Sequence, residues 1–216
     1  EVLPAAQREL WPRLGAVSEL GFVLYGGTAI ALRVGHRQSV DFDFFNEVAL
    51  DRDALRRAFP ALSLSTVLQD GPDTLTALVA AQDANRERVK MSFFGGIAVG
   101  RVGEPEKAPG SGVLVASLDD LLATKLKVML QRVEARDYRD VVALLGAGID
   151  LARGLAAARA MFGPSFQPSE SLKALVYFEG GDVADLVPQE RRILVDAARA
   201  VRELPDVAIR SHRLAT

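Results

Sequence analysis

Two aspartates, Asp41 and Asp43, alternate with phenylalanines in the segment SVDFDFF, and a glycine pair, Gly26-Gly27, stands shortly before them in LYGGTAIALRVGH. On a strand, residues two apart share a face, so both carboxylates project to one side while Phe42 and Phe44 take the other. Like charges on one face repel, and burying either without a partner costs several kcal/mol, on the order of a lost ion pair. A divalent cation resolves the conflict. Mg²⁺ suits such an oxygen pair, shared with water and with the phosphates of a substrate. The glycine pair supplies the complementary half. Between a strand and a helix start, Gly26 and Gly27 let the backbone approach an anion that the free N–H groups and dipole of the helix favour, and Thr28 can add a hydroxyl. A Gly-Gly turn alone is commonly just a turn, and an Asp-x-Asp pair alone is often a solvated edge. Separated only by one short helix, the two together favour phosphate plus metal.

The elements that must position these groups follow from periodicity. Residues 4–20 have the apolar spacing of a helix, FVLY is a short buried strand, TAIALRVGH is helical, and SVDFDFF is the second strand. Residues 51–59 are predicted helical, and SLSTVL, TLTALVAA, RERVKMSFF and GVLVAS are predicted strands. GRVGEPEKAPGSG, dense in Gly and Pro, is expected to be a loop. The period then changes: Ser117 stands as an N-cap with Asp120 three residues on, and helices are expected over about 118–133, 137–146, 150–161, 168–178 and 188–203. The pattern predicts an α+β protein, with a mixed-sheet module over residues 1–115 followed by a helical module over 116–216.

A second constellation lies in TKLKVMLQRVEARDYRD. As one helix it would align Lys125, Met129, Arg132 and Arg136 on one stripe and Leu122, Leu126, Leu130 and Val133 on another. Lys125 is then either a member of a solvated, salt-bridged face or a compact charge for a triphosphate. Arg132, Arg136 and Arg139 either hold an anionic acceptor or pair with Glu134, Asp137 and Asp140. Spacing leaves both open.

Composition removes several classes. With 216 residues, 49% hydrophobic and 25% charged, the chain has ordinary globular composition. No apolar run approaches the roughly 20 residues of a membrane-spanning helix. The chain has no cysteine and two histidines, so disulfides and cysteine-held zinc are excluded, a metal is expected on oxygen ligands, and a reducing, cytoplasmic setting is expected. The net charge of −2 gives no global case for nucleic acid, leaving only local basic clusters to make it. The opening EVLPAAQREL reads as a trimmed start rather than a signal peptide.

The segments LYGGTAIALRVGHRQSVDFDFF, LLATKLKVMLQRVEARDYRDVVAL and LKALVYFEGGDVADLVP resemble, in the same order, three blocks of the AbiEii/AbiGii-type nucleotidyltransferase toxin family, within the DNA polymerase β-like nucleotidyltransferase superfamily. The resemblance runs from about Phe22 to Pro188. It implies a small mixed-sheet nucleotidyltransferase core with a helical C-terminal domain, a Mg²⁺ cofactor, a nucleoside triphosphate substrate, tRNA as a possible acceptor and an antitoxin protein as a possible partner. By resemblance, Gly26, Gly27 and Ser39 contact the nucleotide, Asp41 and Asp43 are the metal ligands, Lys125 lies near the triphosphate, and Asp137, with Asp140 as neighbour, is the late acidic motif. One position departs from the superfamily pattern. Where a later strand ordinarily supplies a third carboxylate, VKMSFF has Ser92, which leaves the base to Asp83, Asp137 or Asp140, or to metal and positioning alone. The same departure motivates an alternative, a degenerate fold that binds a nucleotide or partner without turnover. A third reading keeps the chemistry and moves the acceptor to a small molecule or protein side chain.

Overall fold

The alternation of SVDFDFF is realised as a strand, Asp41–Phe45, whose phenylalanines at 42 and 44 are fully buried while Asp41, Asp43 and Phe45 face a partly open side. The fold around it comes from a computed structural model, which describes residues 2–82 and 87–215. Among these residues the strands are β1 (Val23–Tyr25), β2 (Asp41–Phe45), β3 (Thr66–Gly71), β4 (Thr74–Ala80), β5 (Arg88–Phe94), β6 (Glu106–Lys107) and β7 (Leu114–Val115). They form one mixed sheet in the order β3-β4-β5-β2-β1-β7-β6.

Register decides what surrounds the aspartates. β2 runs antiparallel to β1, pairing Asp43 with Tyr25, and parallel to β5, pairing Asp41 with Lys90, Asp43 with Ser92 and Phe45 with Phe94. β4 continues the row by setting Thr76 opposite Ser92. One face therefore carries Tyr25, Asp43, Ser92 and Thr76 side by side. The other face is apolar: Phe44 stacks on Phe93 with ring centroids 5.3 Å apart, and Trp11 stacks on Phe42. Each such fully buried ring contributes about 1.5–3 kcal/mol, which pins the register and so holds the carboxylates on the opposite face.

The helices are α1 (Ala5–Leu10), α2 (Gly15–Glu19), α3 (Gly26–Val34), α4 (Arg52–Ala58), α5 (Leu118–Val128), α6 (Ala135–Gly146), α7 (Leu151–Phe162), α8 (Pro168–Val176) and α9 (Pro188–Ala200). Four expectations are corrected. The single helix over 4–20 is broken by a 3₁₀ turn at Trp11–Arg13, because Pro12 has no backbone N–H with which to continue a helix. The helix expected to run to residue 133 stops at Val128, where Leu130 and Gln131 N–H groups bond three residues back and tighten the chain into a turn, so the stripe of Lys125, Met129, Arg132 and Arg136 is not one helical face. SLSTVL begins inside a 3₁₀ turn, Pro60–Leu64, and the strand begins only at Thr66. The loop expected at 100–112 contains the short strand β6. Ser117 caps α5 as expected: its hydroxyl accepts from the Asp120 N–H at 3.1 Å and donates to the Asp120 carboxylate at 2.7 Å.

One hydrophobic core runs from Leu10 and Leu14 through the sheet to α5, α6 and α7. Beyond α9 the chain is extended and returns to the first half, where Ser211 pairs with Arg101 and the Leu214 N–H donates to Glu47 at 2.9 Å. No single helix among the described residues is long and apolar enough to cross a membrane.

Candidate active site

Asp41 and Asp43 open onto a cavity of about 500 Å³ bounded by the start of α3, the loop 37–40, β3 to β5, and Lys125, Arg132, Arg136 and Asp137. Local sequence explains why the carboxylates reach it. Helix α3 begins at Gly26 itself, directly after β1, so the glycine pair is the helix's first turn. Gly26 has φ +72°, and a Cβ there would stand 2.6 Å from Asp43 Oδ2. The glycine is thus demanded twice, by backbone conformation and by the carboxylate lying against it. At Gly27 a Cβ would meet the Arg37 guanidinium at 2.3 Å, which sets that cation over the same turn. Gly26→Ala is expected to displace Asp43 and lower turnover by about 100-fold, since misplacement on the order of 1 Å costs that much. Gly27→Ala, which would press on the Arg37 guanidinium and leave Asp43 in place, is expected to lose less. Steady-state kinetics on both variants check the contrast.

Thr28 and Ser39 are buried. The Thr28 hydroxyl bonds Ser39 Oγ at 2.8 Å and the Asp41 carbonyl, so it ties the loop before β2 to α3. Ser39 lines the cavity beside Asp41.

The electrostatics differ between the two strand aspartates. Burial pushes the Asp43 carboxyl above the usual range, and Asp41 adds to this, against the opposing effects of Lys90, a hydrogen bond from Ser92 and Lys125. Asp41 is flanked by the Lys90 ammonium at 3.8 Å. A pair of carboxylates with this mutual repulsion, partly open to the cavity, is a suitable donor set for a hard divalent cation completed by water and phosphate oxygens. Among the described residues no group of three or more acidic or histidine side chains is arranged so as to hold a metal ion.

Lys125 is buried, and its Nζ lies 2.8 Å from Asp137 Oδ1 and 2.9 Å from Asp140 Oδ2. Asp137 also accepts from Arg132 Nε at 2.8 Å, and Asp140 from the Nε2–H of His36 at 2.7 Å and from Nε and Nη2 of Arg37 at 2.7 and 3.0 Å. Burial would raise both carboxyls, but Arg132 and Lys125 hold Asp137 below the usual carboxylate range, and His36, Arg37 and Lys125 hold Asp140 well below it. Lys125, Arg37 and Arg132 thus hold the two buried carboxylates between them, with Glu134 also 3.6 Å from Arg132, and Lys125, Arg37 and Arg132 present cationic groups to the cavity.

The residues singled out in the sequence fall in two groups. Gly27, Thr28, Ser39, Asp41, Asp43, Lys125 and Asp137 all line the cavity, and Gly26 abuts Asp43 from the adjoining side. Asp140 lies behind the wall in its ion pairs, and Asp83 lies outside the described residues. Arg132 and Arg136 line the cavity, whereas Arg139 turns to Glu190 and the Asp185 carbonyl. Sequence reading missed Arg37, His36 and Lys90. Lys90 was legible in principle, as it alternates with Ser92 on a predicted strand; Arg37 and His36 acquire their role only through a partner more than 100 residues away.

The sequence profile described as nucleotidyl transferase AbiEii toxin, type IV toxin–antitoxin system, matches residues 16–167. The uncharacterized protein aq_aa25 of Aquifex aeolicus (strain VF5) is 32% identical over 161 residues, covering 73% of this chain and 74% of that protein. Among solved structures, an antigenic nucleotidyltransferase-like protein from Paracoccidioides brasiliensis superposes with a TM-score of 0.58 at 17% identity, covering 94% of this chain and 97% of that one. The nucleotidyltransferase toxin MenT4 of Mycobacterium tuberculosis H37Rv superposes with a TM-score of 0.56 at 16% identity, covering 92% and 91%. At such identities the superpositions speak for the fold. The profile match carries the assignment: this chain belongs to the nucleotidyl transferase AbiEii toxin family and is a nucleotidyltransferase.

Proposed function

We propose that the protein transfers a nucleoside monophosphate from a nucleoside triphosphate to tRNA, with Mg²⁺ held by Asp41 and Asp43, as the cytoplasmic toxin of a toxin–antitoxin pair. The observation that carries the reading is the placement of two adjacent carboxylates on β2 against the first turn of α3, inside a cavity walled by cations. The acceptor oxygen attacks the α-phosphorus, the bond from that phosphorus to the β-phosphate oxygen breaks, and pyrophosphate leaves. When bound, the metal supplies Lewis-acid neutralisation of the phosphate charge. The chain's own contributions are positional and electrostatic. The start of α3 and Arg37 receive phosphate oxygens, Ser39, anchored by Thr28, contacts the nucleotide, and Lys125 with Arg132 provides the positive wall. Asp137, although in the catalytic cluster, serves as a positioning residue that fixes Lys125 and Arg132. Residues 1–115 form the nucleotidyl-transfer core in this reading, and 116–216 the helical domain that brings Lys125 to it.

Ser92 sits laterally beside Asp43, where it donates a hydroxyl rather than accepting a proton. The acceptor is accordingly activated by positioning, and Lys90, Arg132 and Arg136 supply contacts suited to a polyanion. Incubation with Mg²⁺, each α-labelled triphosphate and total tRNA tests the acceptor. Label on RNA supports it. Label on protein or on a small hydroxylated compound, with RNA clean, overturns the tRNA assignment.

A further inference from the structure

A second lobe, a slot of about 260 Å³, lies between the sheet face and α5 and meets the main cavity at Asp43. Its composition differs from that cavity's. Lys125 and Arg132 line both, and the wide lobe adds Arg37, Lys90 and Arg136, while the slot adds Tyr25 and Phe45, which with the shared Phe94 give it an aromatic floor. There Phe45 stacks on Tyr25 with centroids 4.8 Å apart and planes 13° apart, and Phe94 meets Phe45 edge-on at 5.3 Å. Phe45 and Phe94 belong to the polar face of the sheet, and unlike Phe42, Phe44 and Phe93 they keep exposed surface. Neither hydrophobic pinning of the register nor metal binding requires aromatic rings there. Across the slot, Val128 of α5 forms the facing wall and Gln131 stands at the rim, its amide free of hydrogen bonds among the described residues.

We infer that this slot holds the nucleobase of the triphosphate, flat against the Phe45–Phe94 floor, with Gln131 reading its edge. The assignment rests on the nucleotidyl-transfer reading and deepens it. It places the reacting α-phosphate at Asp43, where the lobes join, and leaves the basic lobe to the pyrophosphate and the acceptor. An aromatic floor offers stacking to any base. A side-chain amide presents both donor and acceptor, so discrimination among bases falls to Gln131.

Calorimetric titration of the full chain in Mg²⁺ with each of the four triphosphates, and with inorganic tripolyphosphate, tests it. Val128→Trp fills the slot from the α5 side, and Gln131→Ala removes the amide from an exposed position. Val128→Trp is expected to weaken triphosphate binding about tenfold, the order of a lost stacking contact, with tripolyphosphate binding unchanged as the sign of an intact fold and phosphate site. Gln131→Ala is expected to reduce the spread of affinities among the four bases. Wild-type affinities for all four triphosphates in both variants overturn the slot assignment and leave the transfer reading standing. Loss of tripolyphosphate binding together with nucleotide binding in Val128→Trp also counts against the slot as a separate subsite. Failure of the wild-type chain to bind any triphosphate overturns both.

Discussion

Lys125→Met is expected to lose about 3 kcal/mol of folding stability, because breaking a buried ion pair by removing one partner typically costs about 3–5 kcal/mol. Lys125 touches two fully buried carboxylates at once, and among the described residues only Arg132 remains for Asp137 and only His36 and Arg37 for Asp140. Those guanidinium groups keep the loss toward the low end of that range. For a chain of this size the loss corresponds to a fall in Tm of roughly 10 °C. Thermal melting checks it, and a double-mutant cycle identifies its cause. Adding Asp137→Asn to Lys125→Met removes the carboxylate left short of a cation, so the double variant is expected to melt higher than the single one. The cluster also sets an acid response. Asp137 and Asp140 lie below the ordinary carboxylate value in the folded state, so their contribution is complete above the unfolded carboxylate range of about 4. It is lost as pH falls through their lowered values, first at Asp137 and only in strong acid at Asp140, whose shift is the larger.

Asp43→Asn is expected to do the reverse, raising stability while abolishing transfer. The Asp43 carboxyl is held above its ordinary value by burial and by Asp41, so ionising it costs folding free energy. That cost begins as pH rises through the unfolded carboxylate value and is complete above the raised folded one. At neutral pH, amide replacement is expected to raise the melting temperature, and at pH well below 4 the variant and the wild type are expected to melt together. Activity is expected to fall at least 1000-fold, the scale on which removing a preorganised charge-stabilising group acts. The wild-type enzyme's own acid limb follows from the same shift. Asp43 must be ionised to ligate a cation, so transfer is expected to decline with acid above the ordinary carboxylate range, and to decline at lower pH when metal is raised. Melting curves across pH and rate profiles at two metal concentrations read these outcomes.

How much of this was legible in the sequence depends on the range of the interaction. Asp41 and Asp43 could be read because strand alternation is local and Phe42 and Phe44 declare the buried face. Gly26-Gly27 could be read because it stands one short helix before the aspartate pair, although its closeness to Asp43 and Arg37 is a tertiary fact. The Ser117 cap is local and was found. By contrast, the Lys90–Asp41 and Ser92–Asp43 pairs require the parallel register of β2 and β5, which lie far apart in sequence. The burial of Lys125 also escaped periodicity, since the turn after Val128 brings Asp137 back onto it instead of prolonging one helical stripe. The aromatic slot is similar: Phe45 and Phe94 each look like ordinary strand residues until register sets them side by side.

The central claim is that the Asp41–Asp43 face catalyses attack at the α-phosphorus. Parallel reactions with α-labelled and γ-labelled triphosphate in Mg²⁺ and total tRNA, using wild type and Asp41→Ala, test it most directly. Acceptor-bound label is expected from the α position only, with γ label released in pyrophosphate and neither event with Asp41→Ala. Transfer of γ label to the acceptor, or undiminished α transfer by Asp41→Ala, would contradict it.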